Sequence, residues 1–172
     1  MKRNLDNNTI KWHELGMDRA TLKQKLKYVP ETGKFYWIDP SRHHPELKGR
    51  EAGCCVDNGY IQIRIGRKNY KAHRLAWLYV FGFVPNQIDH IDRNGGNNKI
   101  NNLRPCSNAQ NQANKNGFGV LSKGVRRNHN RFVARITFEK KQITIGSFDT
   151  EEEASNAYFD AARKLYGPYA RK

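Results

Sequence analysis

Hydrophobic and polar positions alternate with different periods along this chain, and each change of period marks an element. Residues before about Asp18 are polar and weakly patterned, and residues 1–20 read as a loose arm. In MDRATLKQKLKYVPETGKFYWI, Leu22 and Leu26 stand one helical turn apart and predict a short helix broken at Pro30. A turn at Thr32-Gly33 then leads into a strand from Phe35 to Ile38. SRHHPELKGREAG reads as an exposed loop. Beyond it, Tyr60, Ile61, Ile63 and Ile65 alternate with Gln62 and Arg64, which predicts a strand, and Gly66 to Asn69 predicts a hairpin turn. From Ala72 the spacing becomes helical, with Leu75, Ala76, Leu78, Tyr79 and Phe81 on an apolar face that ends at Gly82 and Pro85. QIDHIDRNGGNNKINNLRPCSNAQN then predicts a strand from Gln87 to Ile91, a turn at Gly95-Gly96, an extended INNLRP and a helix from about Ser107.

The last third has a pattern of its own. In RFVARITF, Phe132, Ala134, Ile136 and Phe138 fall on one face and Arg131, Val133, Arg135 and Thr137 on the other, so one face is core and the other cationic. KGVRR and QITIGSF predict strands on either side, the second after a turn at Glu139 to Lys141. Thr150-Glu151-Glu152-Glu153 is a capping box whose carboxylates suit the positive end of a helix. Ala154, Ala157, Tyr158, Ala161, Ala162 and Leu165 then form one apolar stripe that has to cover the sheet. The expected fold class is α+β: a strand, strand, helix unit with polar residues at its junctions, then a three-stranded antiparallel sheet packed on one helix.

Composition narrows the function. Only 37% of the 172 residues are hydrophobic, which is low for one large core and favours two small modules. Lys and Arg number 31 against 16 Asp and Glu, and a net charge of +15 makes nucleic acid the expected partner. No run approaches the ~20 apolar residues of a membrane span, and the start has no apolar signal core, so a soluble cytoplasmic protein without a membrane partner is expected. Cys54, Cys55 and Cys106 form no C-x-x-C pair, which argues against a zinc ribbon or a disulfide framework; adjacent Cys54 and Cys55 are expected to pack as small apolar residues. His43 and His44 read as solvated loop histidines, because neighbours in sequence seldom converge on one ion.

The polar stretch around Asp89-His90 holds the residue types that phosphodiester hydrolysis needs: a base for water, and oxygen donors for a cation on the phosphate. A histidine with an ordinary pKa of ~6.5 is mostly neutral near pH 7 and suits the base. A hard divalent cation prefers carboxylate and carboxamide oxygens, with phosphate and water completing its shell. Adjacent on a strand, Asp89 and His90 point to opposite faces. A carboxamide on the facing strand, Asn102, suits a loop-fixing hydrogen bond, and an acceptor on the following helix, Asn111, suits the metal.

These residues resemble a known pattern. With Asp89-His90 as origin, Asn102 and Asn111 stand where HNH homing endonucleases of the His-Me finger superfamily carry their central and final motif residues. AHRLAW, residues 72 to 77, is similar to the segment that precedes the pair in the phage type of that family. The resemblance runs from about Thr21 to Asn116 through YVPETGKFYW, GYIQIRI, HRLAW, IDHID and NNLR. It implies an HNH nuclease domain over 21–116 with a ββα-metal site, acting on DNA with Mg²⁺ or alternatively Mn²⁺. It also implies His90 as general base, Asp89 and Asn111 as metal ligands and Asn102 as structural asparagine. Many members carry histidine at the last position; asparagine is usual in the phage subtype and still offers an oxygen. Asn108, one turn away, is the alternative to Asn111. His73 either touches DNA phosphate with the positive end of its helix or packs. Asp92 is expected to cap the turn, with Asn94, Asn97, Asn98 and Asn101 at the turn and the surface.

GVRRNHNRFVARITFEKKQITIGSFDTEEEASNAYFDAARKLYG, residues 124 to 167, resembles the plant ethylene-response-factor (Apetala2) DNA-binding domain, above all at GVR, IGSFDTEEEA and AYFDAA. This implies a DNA-binding domain over 123–172, after a linker at 117–122, that lays its sheet in the major groove. Arg126, Arg127, Arg131, Arg135 and Thr137 would face DNA. Thr144 replaces the tryptophan usual in plant members and Arg135 stands where many carry glutamate, so the plant target sequence does not transfer. Together the two resemblances imply a sequence-directed homing-type endonuclease of double-stranded DNA that nicks as a monomer and has no obligate protein partner. The alternative is a non-catalytic DNA-binding regulator that retains the HNH fold. Structured RNA fits less well as a substrate, because its major groove is deep and narrow.

Overall fold

The structure, a computed structural model, describes residues 9–10, 16–115, 121–139 and 141–170. Most of the arm expected over 1–20 and of the linker expected over 117–122 lies outside the described residues, as does Lys140 in the turn expected at Glu139 to Lys141. The chain divides into two compact units, Met1–Cys106 and Ser107–Lys172, each mixing helices and antiparallel strands around its own core. No helix among the described residues is long and apolar enough to cross a membrane.

In the first unit, Thr9–Ile10 forms β1. Helix α1, Arg19–Lys25, starts at Asp18, whose carboxylate accepts from the Thr21 amide at 2.9 Å and the Thr21 hydroxyl at 2.6 Å. The helix does not run on to Pro30. Leu26–Val29 is β2, paired antiparallel with β3, Lys34–Trp37, in the register Leu26↔Trp37 and Tyr28↔Phe35. In β2 burial alternates, with Leu26 and Tyr28 in and Lys27 out, and pairing to Phe35 overrides a helical period that only two leucines supported.

β4 (Glu51–Ala52) extends that sheet, and β5 (Cys54–Cys55), β6 (Ile61–Ile65) and β7 (Lys68–Lys71) form a second one. Cys54 and Cys55 are exposed rather than packed, because β5 lies at the edge of its sheet where neither side chain is covered. Helix α2, Ala72–Phe81, follows β7 directly and is buried through Leu75, Ala76, Trp77 and Leu78. Arg19 secures its end, donating from Nε to the Tyr79 carbonyl and from Nη2 to the Val80 carbonyl at 2.9 Å each. A helix C-terminus leaves such carbonyls open. β8 (Val84–Pro85) pairs with β1, and β9 (Ile88–His90) pairs antiparallel with β10 (Leu103–Pro105). Leu22, Leu26, Phe35, Ile63, Leu75, Leu78 and Val84 are fully buried. Ile88 and Leu103 join that core and thereby anchor β9 and β10 to it.

The second unit begins with α3, Asn108–Asn114, whose N-terminus is a capping box between Ser107 and Gln110. The Lys123 ammonium closes its other end, donating to the carbonyls of Gln112, Ala113 and Lys115 at 2.7, 2.7 and 2.6 Å. β11 (Val125–Asn128), β12 (Arg131–Phe138) and β13 (Lys141–Phe148) form an antiparallel sheet in that order. Helix α4, Glu151–Tyr166, covers one face, with Ala154, Tyr158 and Ala162 against Ala134 and Ile136. Its Thr150–Glu153 capping box forms as the sequence predicts. Gly124 enters the sheet at φ 73°, and a Cβ there would come within 2.0 Å of the Tyr158 ring. Only glycine lets the chain lie so close to the helix. Leu165, expected to end the apolar stripe, is exposed; Tyr166 packs on the core instead, its hydroxyl donating to the Thr137 carbonyl at 2.7 Å.

Candidate active site

Strand pairing decides what surrounds the Asp-His pair. On β9, Asp89 lies opposite Arg104 and His90 opposite Leu103 of β10. Both are buried, Asp89 to 5% and His90 to 4% exposure. Two nitrogens of Arg104, Nε at 2.9 Å and Nη2 at 2.8 Å, engage the same oxygen of Asp89, Oδ2. A buried carboxylate costs several kcal/mol when it stands alone, and Arg104 offsets that cost.

Side chains hold the turn between the two strands. Asn102 donates from Nδ2 to Asp92 Oδ1 at 2.9 Å and to the Asn97 carbonyl at 2.8 Å, and its Oδ1 accepts from the Asp92 amide at 3.1 Å. Asp92 also accepts from the Asn94 amide at 2.9 Å and from Asn97 Nδ2 at 2.7 Å, so it caps the turn. Asn98 departs from the expectation of a surface residue. It is 2% exposed; its Oδ1 lies 3.1 Å from His90 Nε2, its Nδ2 donates to the Gly96 carbonyl at 3.3 Å, and its own carbonyl accepts from the Tyr28 hydroxyl at 2.7 Å. The β2–β3 turn presses on the same segment: a Cβ on Gly33, at φ 74°, would come within 2.4 Å of the Lys99 backbone nitrogen.

His73, in the first turn of α2, is also buried, and its ring stands edge-on to His90 with 5.1 Å between centroids. Tyr60 closes the cluster at 5.4 Å from His73 and 5.6 Å from His90. Burial, with smaller contributions from His90, Lys71 and Arg74, pushes the His73 pKa down to about 3, so that ring is neutral at physiological pH. Burial lowers His90 as well, against the opposing pull of Asn98, Asp92 and Asp89, and leaves a neutral imidazole near pH 7.

A family model described as HNH endonuclease matches residues 70–113, from the end of β7 into α3. An uncharacterized HNH endonuclease, L560, of Acanthamoeba polyphaga mimivirus is 35% identical over 172 residues, covering 88% of this chain and 91% of its own length. This chain belongs to the HNH endonuclease family. It is accordingly a phosphodiester hydrolase, of a family that generally uses a divalent metal. No solved structure matches it.

The donor set of this HNH endonuclease fits such a metal. Among the described residues no group of three or more His, Cys, Asp or Glu side chains is placed to hold a metal ion, and a hard divalent cation needs only one or two protein carboxylates when phosphate and water are present. Asp89 is the buried oxygen donor of the first unit at this strand pair. Asn111 lies on α3, in the second unit, half-buried, with its amide donating to the Ser107 carbonyl at 2.9 Å; Asn108 is exposed. The structure brings Asp89, His90, Asn102 and His73 into one region of the first unit. It adds Arg104, Asn98, Tyr28 and Tyr60, none of which the sequence placed in the site. The phrase NNLR contains Arg104, but only the register of β9 and β10 reveals its partner.

In the second unit, Arg126, Arg131, Arg135 and Thr137 lie on the face turned away from α4, with Arg126 paired to Val133, Arg135 to Thr144 and Thr137 to Gln142. Arg127 is not with them. Its strand partner Phe132 packs on the helix side, so exposed Arg127 lies on that side, with Nε donating to the His129 carbonyl at 3.3 Å. Arg135 is half-buried, and its Nε has no hydrogen-bond partner among the described residues.

Proposed function

We propose that the chain is a metal-dependent, sequence-directed endonuclease of double-stranded DNA, of the homing type, in which the first unit cuts and the sheet of the second anchors it to the target. The observation that carries this reading is the buried Asp89-His90 pair on β9: a hard oxygen donor charge-balanced by Arg104, beside a histidine that burial keeps neutral. His90 takes the proton of a water that attacks the phosphate in line, which leaves 5′-phosphate and 3′-hydroxyl ends. Asp89 would hold the cation, Mg²⁺ or Mn²⁺, and the motif resemblance implies Asn111 as a further ligand. When bound, the ion would supply charge stabilisation at the phosphate and at the leaving 3′-oxygen. Asn102 has the structural role, which its hydrogen bonds to Asp92 and Asn97 support. Burial of His73 against His90 favours packing over phosphate contact. The arginines of the sheet face turned away from α4, with the Apetala2 resemblance, support a fixed DNA anchor. One active centre per chain makes a single molecule a nickase.

The test is incubation with a pool of random-sequence DNA duplexes and Mg²⁺, with the new ends mapped by sequencing. A recurring site should be cut on one strand to a 5′-phosphate, EDTA should stop the reaction, and duplex RNA should stay intact. His90→Ala should bind the recovered site and not cut it. Binding without cleavage by the unaltered protein in Mg²⁺ and in Mn²⁺ would identify a DNA-binding regulator instead.

A further inference from the structure

The amide of Asn98 is orientated by its neighbours, and this decides the protonation pattern of His90. The Gly96 carbonyl can only accept, so the Asn98 side chain must turn its NH₂ toward it and its carbonyl oxygen toward His90 Nε2, 3.1 Å away. A carbonyl oxygen facing an imidazole nitrogen requires that nitrogen to carry the proton. The lone pair of neutral His90 is then on Nδ1.

From this geometry we infer that Asn98 is the positioning residue of the catalytic histidine: it fixes the ring plane and the tautomer, and so selects Nδ1 as the atom that receives the proton of water. The inference rests on the reading of His90 as general base. Asn98 is held in turn by the Tyr28 hydroxyl on its own carbonyl and by the close passage of Gly33 behind Lys99, so the β2–β3 hairpin supports the base from a distance in sequence. At 2% exposure the Asn98 side chain has no solvent-facing task, and the bond from the Tyr28 hydroxyl to the Asn98 carbonyl does not depend on the side chain at that position. The balance of the step is simple. Water gives a proton to Nδ1 while its oxygen bonds to phosphorus, the P–O3′ bond breaks and the departing 3′-oxygen takes a proton from solvent, and the His90 cation, Nε2–H still donating to Asn98 Oδ1, is stabilised by that acceptor.

Two variants separate orientation from structure. Asn98→Ala and Asn98→Asp both lose the bond to the Gly96 carbonyl, but only Asn98→Asp keeps an oxygen toward Nε2. On the duplex recovered from the random pool, Asn98→Ala should lower kcat about 10- to 100-fold at unchanged KM, a part of the whole effect of a general base. Asn98→Asp should recover most of that loss. Nitrogen-15 NMR of histidine-labelled, metal-free protein, at a pH where the ring is neutral, should show the Nε2–H form of His90 in the unaltered protein and in Asn98→Asp, and a tautomer mixture in Asn98→Ala. An Nδ1–H form in the unaltered protein overturns the inference, even if both variants fail to fold. So do equal losses in the two variants with the tautomer unchanged, or wild-type turnover by Asn98→Ala. Turnover by His90→Ala would overturn the base assignment instead, a separate outcome read from a separate protein.

Discussion

Arg104 and Asn98 show how much of the site is made by single contacts. Arg104 places both Nε and Nη2 on the Asp89 carboxylate in a buried setting, so its removal leaves a charge in the core with its main counterion gone. Arg104→Met should destabilise the first unit by about 3–5 kcal/mol in urea unfolding, the range for breaking one side of a buried pair. Adding Asn at position 89 (Asp89→Asn with Arg104→Met) should return more than half of that loss, because no unpaired charge is then buried. Additive losses in the double variant would show that the pair does not act as a unit. Asp89 and His90 were legible as a pair from residue type and order. Arg104 and Asn98 were not, since an arginine in NNLR and one asparagine among several carry no mark of burial; the facing strand and the folded turn confer it.

Elements announced by local chemistry formed as read, whereas the end of the first helix, decided by strand pairing, did not. The Thr150–Glu153 box starts α4, and the alternation of Arg131 to Phe138 makes β12, because in each case hydrogen bonding or period is set within a few residues. α1 ends four residues before Val29 because Leu26 to Val29 found a strand partner in Lys34 to Trp37. The end of α3 depends on a residue outside it, Lys123, whose ammonium reaches the carbonyls of Gln112 and Ala113 in its last turn and of Lys115 just beyond it. Charge-assisted bonds at a helix C-terminus are worth more than neutral ones. Lys123→Met should therefore cost the second unit about 1–3 kcal/mol and speed amide exchange at residues 111–114. Unchanged exchange there would remove Lys123 from the account of why α3 ends where it does.

At the scale of the whole molecule, the excess of cations is divided between structure and a surface for DNA. Lys123 and Arg104 are spent inside the fold, whereas Arg126, Arg131 and Arg135 share the sheet face away from α4 and Arg127 does not. If that face anchors DNA, Arg126→Ala should weaken binding at all sequences and reduce the slope of log K against log salt by about one, while Arg127→Ala leaves the slope unchanged. Equal effects of the two variants would mean that the sheet face is not the anchor. The sequence by itself determined the α+β class, the three-strand-plus-helix unit, the adjacent placing of Asp89 and His90 and the basic character, because period, capping and charge are properties of neighbours along the chain. Only the tertiary structure decided that Asp89 has an arginine beside it, that Asn98 faces His90, that His73 is buried and that Arg127 leaves the cationic face. Each of these depends on register or burial, and both arise when segments distant in sequence pack together.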